Sequence, residues 1–189
     1  MALIRTIDAT VEPVSTAEAK AHLRVTSATD DALIGTLITA ARQSAENRLR
    51  RSLLPQTWEL TLDEFPDAIK LVYPPLIGVT TLKYLEPVAG VSTTLNALSY
   101  TVDDKSEPGW IVPSYGHTWP DIYDAINAVE VTYTAGYATA ADVPQAIKSW
   151  ILLHVGNLYE NREATVPGIS MTELPFADAL LDGYRVVTF

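Results

Sequence analysis

Carboxylates set among aromatic rings are the clearest chemical signal in the chain: Asp103, Asp104, Asp121 and Asp124 fall among turns beside Trp110, Tyr115, Trp119 and Tyr123. Such a set could hold a sugar on an aromatic face and cleave it between two carboxyl groups, one acid and the other base or nucleophile. Adjacent aspartates in turns more commonly hold the backbone or face water. The histidines are His22, His117 and His154, widely separated, and none belongs to a metal-ligating spacing such as His-Glu-x-x-His. His154 sits in an apolar helical stretch and reads as a hydrogen-bonded core residue, while His22 near a helix end suits the dipole. Glu160 and Glu163 are i,i+3 neighbours, but Arg162 lies between them and no histidine completes a set, so a solvated helix end accounts for them.

The common local signatures of nucleotide and serine-hydrolase sites are missing from the sequence. Cysteine is absent too, which removes disulfides, thiolate metal ligands and thiol nucleophiles and fits a reducing compartment. No catalytic, cofactor-binding or metal-binding residue is assigned from these patterns, although a missing motif is weak evidence by itself. The formal charge of −10 disfavours tight binding to a phosphate backbone. The one basic cluster, Arg48, Arg50 and Arg51, falls where a helix ends and favours the dipole there. With 48% apolar and 19% charged residues the chain is a folded one. No apolar run approaches the roughly 20 residues that span a bilayer, and the N-terminus lacks a signal-peptide pattern, so no membrane contact is expected and the protein reads as cytosolic when made.

The elements that must position these residues begin after an extended arm ending at Glu12-Pro13. Ser15-Thr16-Ala17-Glu18 is a capping box opening a short helix of about ten residues that ends near Arg24. Thr29-Asp30-Asp31 starts a second helix, in which Leu33, Ile34, Leu37, Ile38, Ala41, Ala45 and Leu49 recur at helical spacing. Arg42, Glu46, Arg48 and Arg50 take its other side, facing water or a neighbouring subunit, and Pro55 stops it. From Thr57 the pattern turns strand-like, with candidates at residues 58–62, 69–72, 79–85, 99–102, 110–112 and 129–134 between Pro- and Gly-rich turns. A third helix starts near Pro144 and is apolar on nearly every side, so it is expected to be the central buried helix. Residues 175–181 have the pattern of a last short helix, before an apolar tail.

The fold class is thus α+β: a helical core of two N-terminal helices and one long buried helix, with a β-rich, sandwich- or barrel-like unit inserted. The divisions are residues 1–54 for the arm and first helices, 55–142 for the β-rich region, and 143–189 for the long helix and tail.

Pro13-Val14-Ser15-Thr16-Ala17-Glu18-Ala19-Lys20-Ala21-His22-Leu23-Arg24-Val25, continued by Asp30-Asp31-Ala32-Leu33-Ile34, resembles the opening of the head-tail connector family of long-tailed bacteriophages. The likeness runs on through Leu54-Pro55-Gln56-Thr57-Trp58, Pro74-Pro75-Leu76, Tyr133-Thr134-Ala135-Gly136-Tyr137 and Val143-Pro144 to Leu158-Tyr159-Glu160-Asn161-Arg162-Glu163. Together these landmarks cover most of the chain in the family's order, although each alone is common.

The resemblance implies a structural adaptor of a phage or phage-like gene-transfer particle, located at the virion's head-tail junction. It implies a homo-oligomeric ring, commonly twelvefold, between the portal protein and a tail-completion or stopper protein, with only transient non-specific contact with DNA in transit. It also implies a C-terminal segment reaching toward the portal, here Tyr184, Arg185, Val186, Val187, Thr188 and Phe189. A ring closes through one contact repeated between two different faces, and the arginines of the second helix, Arg42 and Arg48, are the residues expected to meet an acidic surface of the next subunit. Two alternatives stand beside this: another neck or tail-completion protein, and a carbohydrate-binding or hydrolytic β module built on residues 110–124.

Overall fold

The computed structural model describes residues 1–161 and 175–186. Among them the chain is α+β, with four α-helices and two antiparallel sheets. It divides into two compact units, one helical (Val11–Leu54 with Thr139–Phe189) and one of strands (Met1–Thr10 with Pro55–Ala138). The first ten residues thus belong with the strands and not with the helices.

The helical unit contains α1 (Thr16–Leu23), α2 (Asp31–Leu49), α3 (Gln145–Glu160) and α4 (Pro175–Asp182). The capping box forms: Ser15 Oγ accepts from the Glu18 amide at 3.2 Å and Glu18 accepts from the Ser15 amide at 2.7 Å. Hydrogen bonds from Ser15 to the charged carboxylate hold the Glu18 carboxyl below its ordinary pKa. α1 stops at Leu23 because Arg24 takes a left-handed conformation, with φ of 59°. α2 buries Ile34, Ile38, Ala41, Ala45 and Leu49 against α3, whose buried residues are Ile147, Trp150, Ile151 and Val155. Contrary to the all-round burial expected of α3, Leu152, Leu153 and Leu158 stay partly exposed. Asp30 precedes α2 as expected but makes no capping bond; its carboxylate accepts from the Tyr159 hydroxyl at 2.6 Å instead, joining the start of α2 to the end of α3.

The strand unit holds β1 (Ala2–Ile7), β2 (Gln56–Leu62), β3 (Ile69–Leu71), β4 (Leu76–Leu85), β5 (Ser92–Thr94), β6 (Tyr100–Asp103), β7 (Gly109–Pro113) and β8 (Val129–Ala135). One sheet has the order β1-β2-β8-β4-β5 and the other β3-β7-β6. Alternation of burial along β8, and along β2 as far as Thr61, marks them as central strands with one face inward. Trp58 and Leu60 of β2, Val129, Val131 and Tyr133 of β8, and Leu82 of β4 share one core with Ile69, Leu71 and Ile111 of the second sheet. The Tyr133 hydroxyl reaches out of this core to the Val72 carbonyl at 2.8 Å, and burial raises its pKa far above the ordinary value. The extended N-terminal segment is strand β1, paired antiparallel with β2 from Ala2 opposite Thr61 to Ile7 opposite Thr57.

Candidate partner-binding site

Arg42 and Arg48 project from the same helix, and their surroundings differ sharply. Arg42 is 1% exposed, so it does not face a neighbour as the sequence led us to expect. Its Nε donates to Glu12 at 2.8 Å and its Nη1 to Glu46 at 3.1 Å. Glu12 also accepts from Thr39 Oγ1 at 2.7 Å, and Glu46 from the Leu53 amide at 3.1 Å. A buried guanidinium is tolerable only when paired and hydrogen-bonded. Arg42 therefore fastens the segment before α1 onto α2.

Arg48 is 41% exposed and donates to Asp178 of α4 at 2.8 Å, with its guanidinium 5.6 Å from the centre of the Trp150 ring. Trp150 Nε1 donates to the other oxygen of Asp178 at 3.2 Å, and His154 stacks on the Trp150 ring at 4.7 Å. The Trp150 hydrogen bond, followed by the bond and charge of Arg48, holds the Asp178 carboxyl below its ordinary pKa. Burial, then the charge of Arg48, lowers that of His154. This cluster joins α2, α3 and α4, while the remaining exposed part of Arg48 is open to a further acidic group.

Of the expected portal-contact residues, Tyr184 accepts through its carbonyl from Arg51 Nε at 3.2 Å, and the Val186 amide donates to the Leu49 carbonyl at 2.9 Å. Arg185 lies exposed between them. The chain up to Val186 thus lies on its own helical unit, and Val187, Thr188 and Phe189 lie outside the described residues, as do Arg162 and Glu163.

The acidic and aromatic stretch does not assemble a sugar site. Asp103 accepts from Ser106 Oγ at 2.6 Å and from the amides of Lys105 and Ser106, bonds that lower its pKa and fix the β6–β7 turn. Trp119 gives its face to Phe65, stacked at 4.7 Å, and Lys70 covers Trp110 at 5.6 Å. Asp124 lines an open cleft of about 550 Å³ with Asp63, Glu64, Ile122, Ala125 and Ile126; Asp103, Asp104 and Asp121 are not part of its lining. Of the histidines, His22 packs beside Gly156 of α3, where an added Cβ would stand 3.5 Å from its Nε2, and His117 is exposed in a loop. Among the described residues, no three His, Cys, Asp or Glu side chains gather as a metal site.

Sequence reasoning missed Glu12, because nothing local marks it as the counter-ion of a helix that begins well after it. It missed Trp150 and Asp178 as a pair for a similar reason.

With this geometry in view, residues 15–74 match the model of the phage gp6-like head-tail connector protein family. The match takes in the capping box, all of α1 and α2 with Arg42 and Arg48, and the first strands after them. Among solved structures, a chain from the neck of an empty gene transfer agent (GTA) particle computed with C6 symmetry is similar at a TM-score of 0.81 and 24% identity, covering 100% of this chain and 97% of that one. A chain from the neck of a native GTA particle computed with C12 symmetry gives 0.79 and 24%, and one from the virion of a native GTA particle 0.78 and 23%, with the same coverage. At such identities the likeness establishes the fold, beyond the connector region as well as within it. No curated protein sequence matches the chain.

Proposed function

We propose that this protein is a structural head-tail connector subunit of a tailed phage or GTA-like particle, located in the neck of the virion and assembled there as a ring. One observation carries the reading: a chain with a connector-family match over residues 15–74 shares its fold, along its whole length, with chains from GTA necks. A ring of twelve under the portal protein, followed by a tail-completion or stopper protein, is the arrangement we assign to it. The acidity of the chain, −10 per copy, suits a lumen through which DNA passes, because like charge keeps a phosphate backbone from sticking.

Within this reading Arg48 is the arginine of α2 available to a neighbouring copy, and Val187, Thr188 and Phe189 are the residues assigned to the portal. Imaging the neck of a particle that carries this protein, at residue resolution, tests the position, the copy number and both contacts together. Density for the chain between portal and tail is the expected result. Density elsewhere in the particle, or a neutral or basic lumen, overturns the placement or the transit role respectively. Deleting residues 187–189 is expected to leave the folded subunit intact and to weaken its attachment to portal-bearing heads; unimpaired attachment sinks the portal assignment.

A further inference from the structure

The five-stranded sheet is open at both ends. β1 has a single neighbour, β2, so its outer row of N–H and C=O groups has no strand beside it among the described residues. At the other end β5 has three residues and pairs only with Lys83–Leu85 of the ten-residue β4, with one more bond from the Leu95 amide to the Leu82 carbonyl. Among the described residues, residues 76–81 of β4 have no outer strand. That stretch is as long as β1, which has six residues.

We infer that these two edges are the complementary faces of the contact between copies: β1 of one subunit adds antiparallel to residues 76–81 of the next. The inference rests on the ring reading above and specifies its interface.

Strand direction favours it. Every neighbouring pair in the sheet is antiparallel, so β1 and β4 run in opposite directions within one subunit. A copy displaced sideways about a ring axis therefore presents β1 to β4 already antiparallel, which is the heterologous contact a ring requires.

Side chains favour it as well. Soluble proteins blunt free edges with lysine, proline or inward charge. β1 reads Ala-Leu-Ile-Arg-Thr-Ile, with no proline or lysine, and its one charge is turned back, with Arg5 5.9 Å from the Trp58 ring centre and 3.3 Å from Gln56 Oε1. Ile4 and Ile7 are each 57% exposed, and Ile77 on the opposing edge is 47% exposed. In a chain of net charge −10, neither residues 2–7 nor residues 76–81 contain an aspartate or glutamate, so copies can meet here without carboxylate repulsion. The register of β4 against β8 shifts between Leu76 and Gly78 and again between Val79 and Thr81; such bulges bend and twist a strand, as a closing ring demands.

The protein has no cysteine, so engineered pairs report on this contact alone. In the full-length chain, Ile4→Cys is combined in turn with Ile77→Cys or Thr81→Cys, which lie on the same face of the sheet, and assembled necks are oxidised or bridged with a short bis-maleimide. At least one pair is expected to give a ladder of covalent multimers, while Ile4→Cys alone gives none. Necks that assemble normally yet yield no multimers from any pair overturn the inference and leave the ring reading standing. So does a covalent dimer from Ile4→Cys alone, since that places β1 against β1. Failure of the unaltered chain to enter any ring sinks both. As a second measurement, Ile4→Glu is expected to reduce ring assembly at least tenfold with the subunit's melting temperature unchanged, and Ile77→Lys, at an exposed position of the opposing edge, to restore it in the double variant. Assembly unaffected by Ile4→Glu counts against the edge contact.

Discussion

The helical unit turns its polar groups inward, whereas the strand unit leaves apolar groups and backbone edges outside. Arg42 and Glu46 are buried in α2 and joined by Glu12. Arg48, Trp150 and Asp178 satisfy one another across three helices. Among the described residues, Val11 and Leu33 are the large exposed hydrophobics of the helical unit, while the strand unit exposes Ile4, Ile7, Ile77, Val88, Val91, Leu98, Tyr115 and Ile126 among others. A family match that covers α1 and α2 therefore falls largely on a self-satisfied scaffold, and the surface with unmet binding capacity lies mainly in the other unit.

Given that contrast, the largest loss of subunit stability comes from cutting the buried ion network. Arg42→Ala removes the buried guanidinium that bonds both Glu12 and Glu46, and should cost about 3–5 kcal/mol in urea unfolding. Adding Glu46→Gln, which lowers the buried negative charge and keeps an acceptor for the Leu53 amide, should recover part of it. A cost below about 1 kcal/mol for Arg42→Ala would mean the network is solvated, on the scale of an exposed pair, and would erase the difference between the units. In the strand unit the comparable loss is apolar: Leu82, fully buried, should cost about 2–5 kcal/mol as Leu82→Ala through lost transfer energy and a residual cavity. Smaller again is Ser15→Ala, which removes one half of the capping box at the exposed start of α1 and should cost about 1 kcal/mol.

Much of the scaffold was legible because its signals are local. The box at Ser15 and Glu18 and the period of Ile34, Ile38, Ala41 and Ala45 depend on residues within a turn or two of each other. The alternation in β2 and β8 is just as local, and the helix pattern in residues 175–181 corresponds to α4. What failed to show was decided by distant partners. A helical projection assigns Arg42 to the wet side, and only the fold brings Glu12 over it. The three residues of β5, Ser-Thr-Thr, carry no apolar pattern at all. In β1 the alternation puts Arg5 on the covered face, which is acceptable only because Trp58 and Gln56 of β2 receive it. Trp119 was legible as an aromatic near carboxylates, but its face was already committed to Phe65, a residue far from it in sequence.

The smallest effect sharpens the comparison from the helical side, through pH. His154 is half-buried against Trp150, and its folded pKa lies below the ordinary 6.5 because burial, then Arg48, disfavour the cation, with Asp178 opposing. As pH falls through 6.5 the unfolded chain takes up a proton that the folded one still refuses, so stability declines from there down to the folded pKa. Asp178 acts in a lower window: its carboxylate is favoured in the fold, so its contribution is present above the ordinary 3.8 and fades as pH falls through the folded value. Because Asp178 is 43% exposed, solvent screening keeps that second contribution small. Unfolding midpoints measured from pH 7.5 to 4.5 should decline through the histidine window, and His154→Phe, which keeps a ring on Trp150, should flatten the curve there. A curve that keeps its slope in this variant places the acid sensitivity elsewhere, and with it the idea that the helical unit holds its titratable groups for its own cohesion.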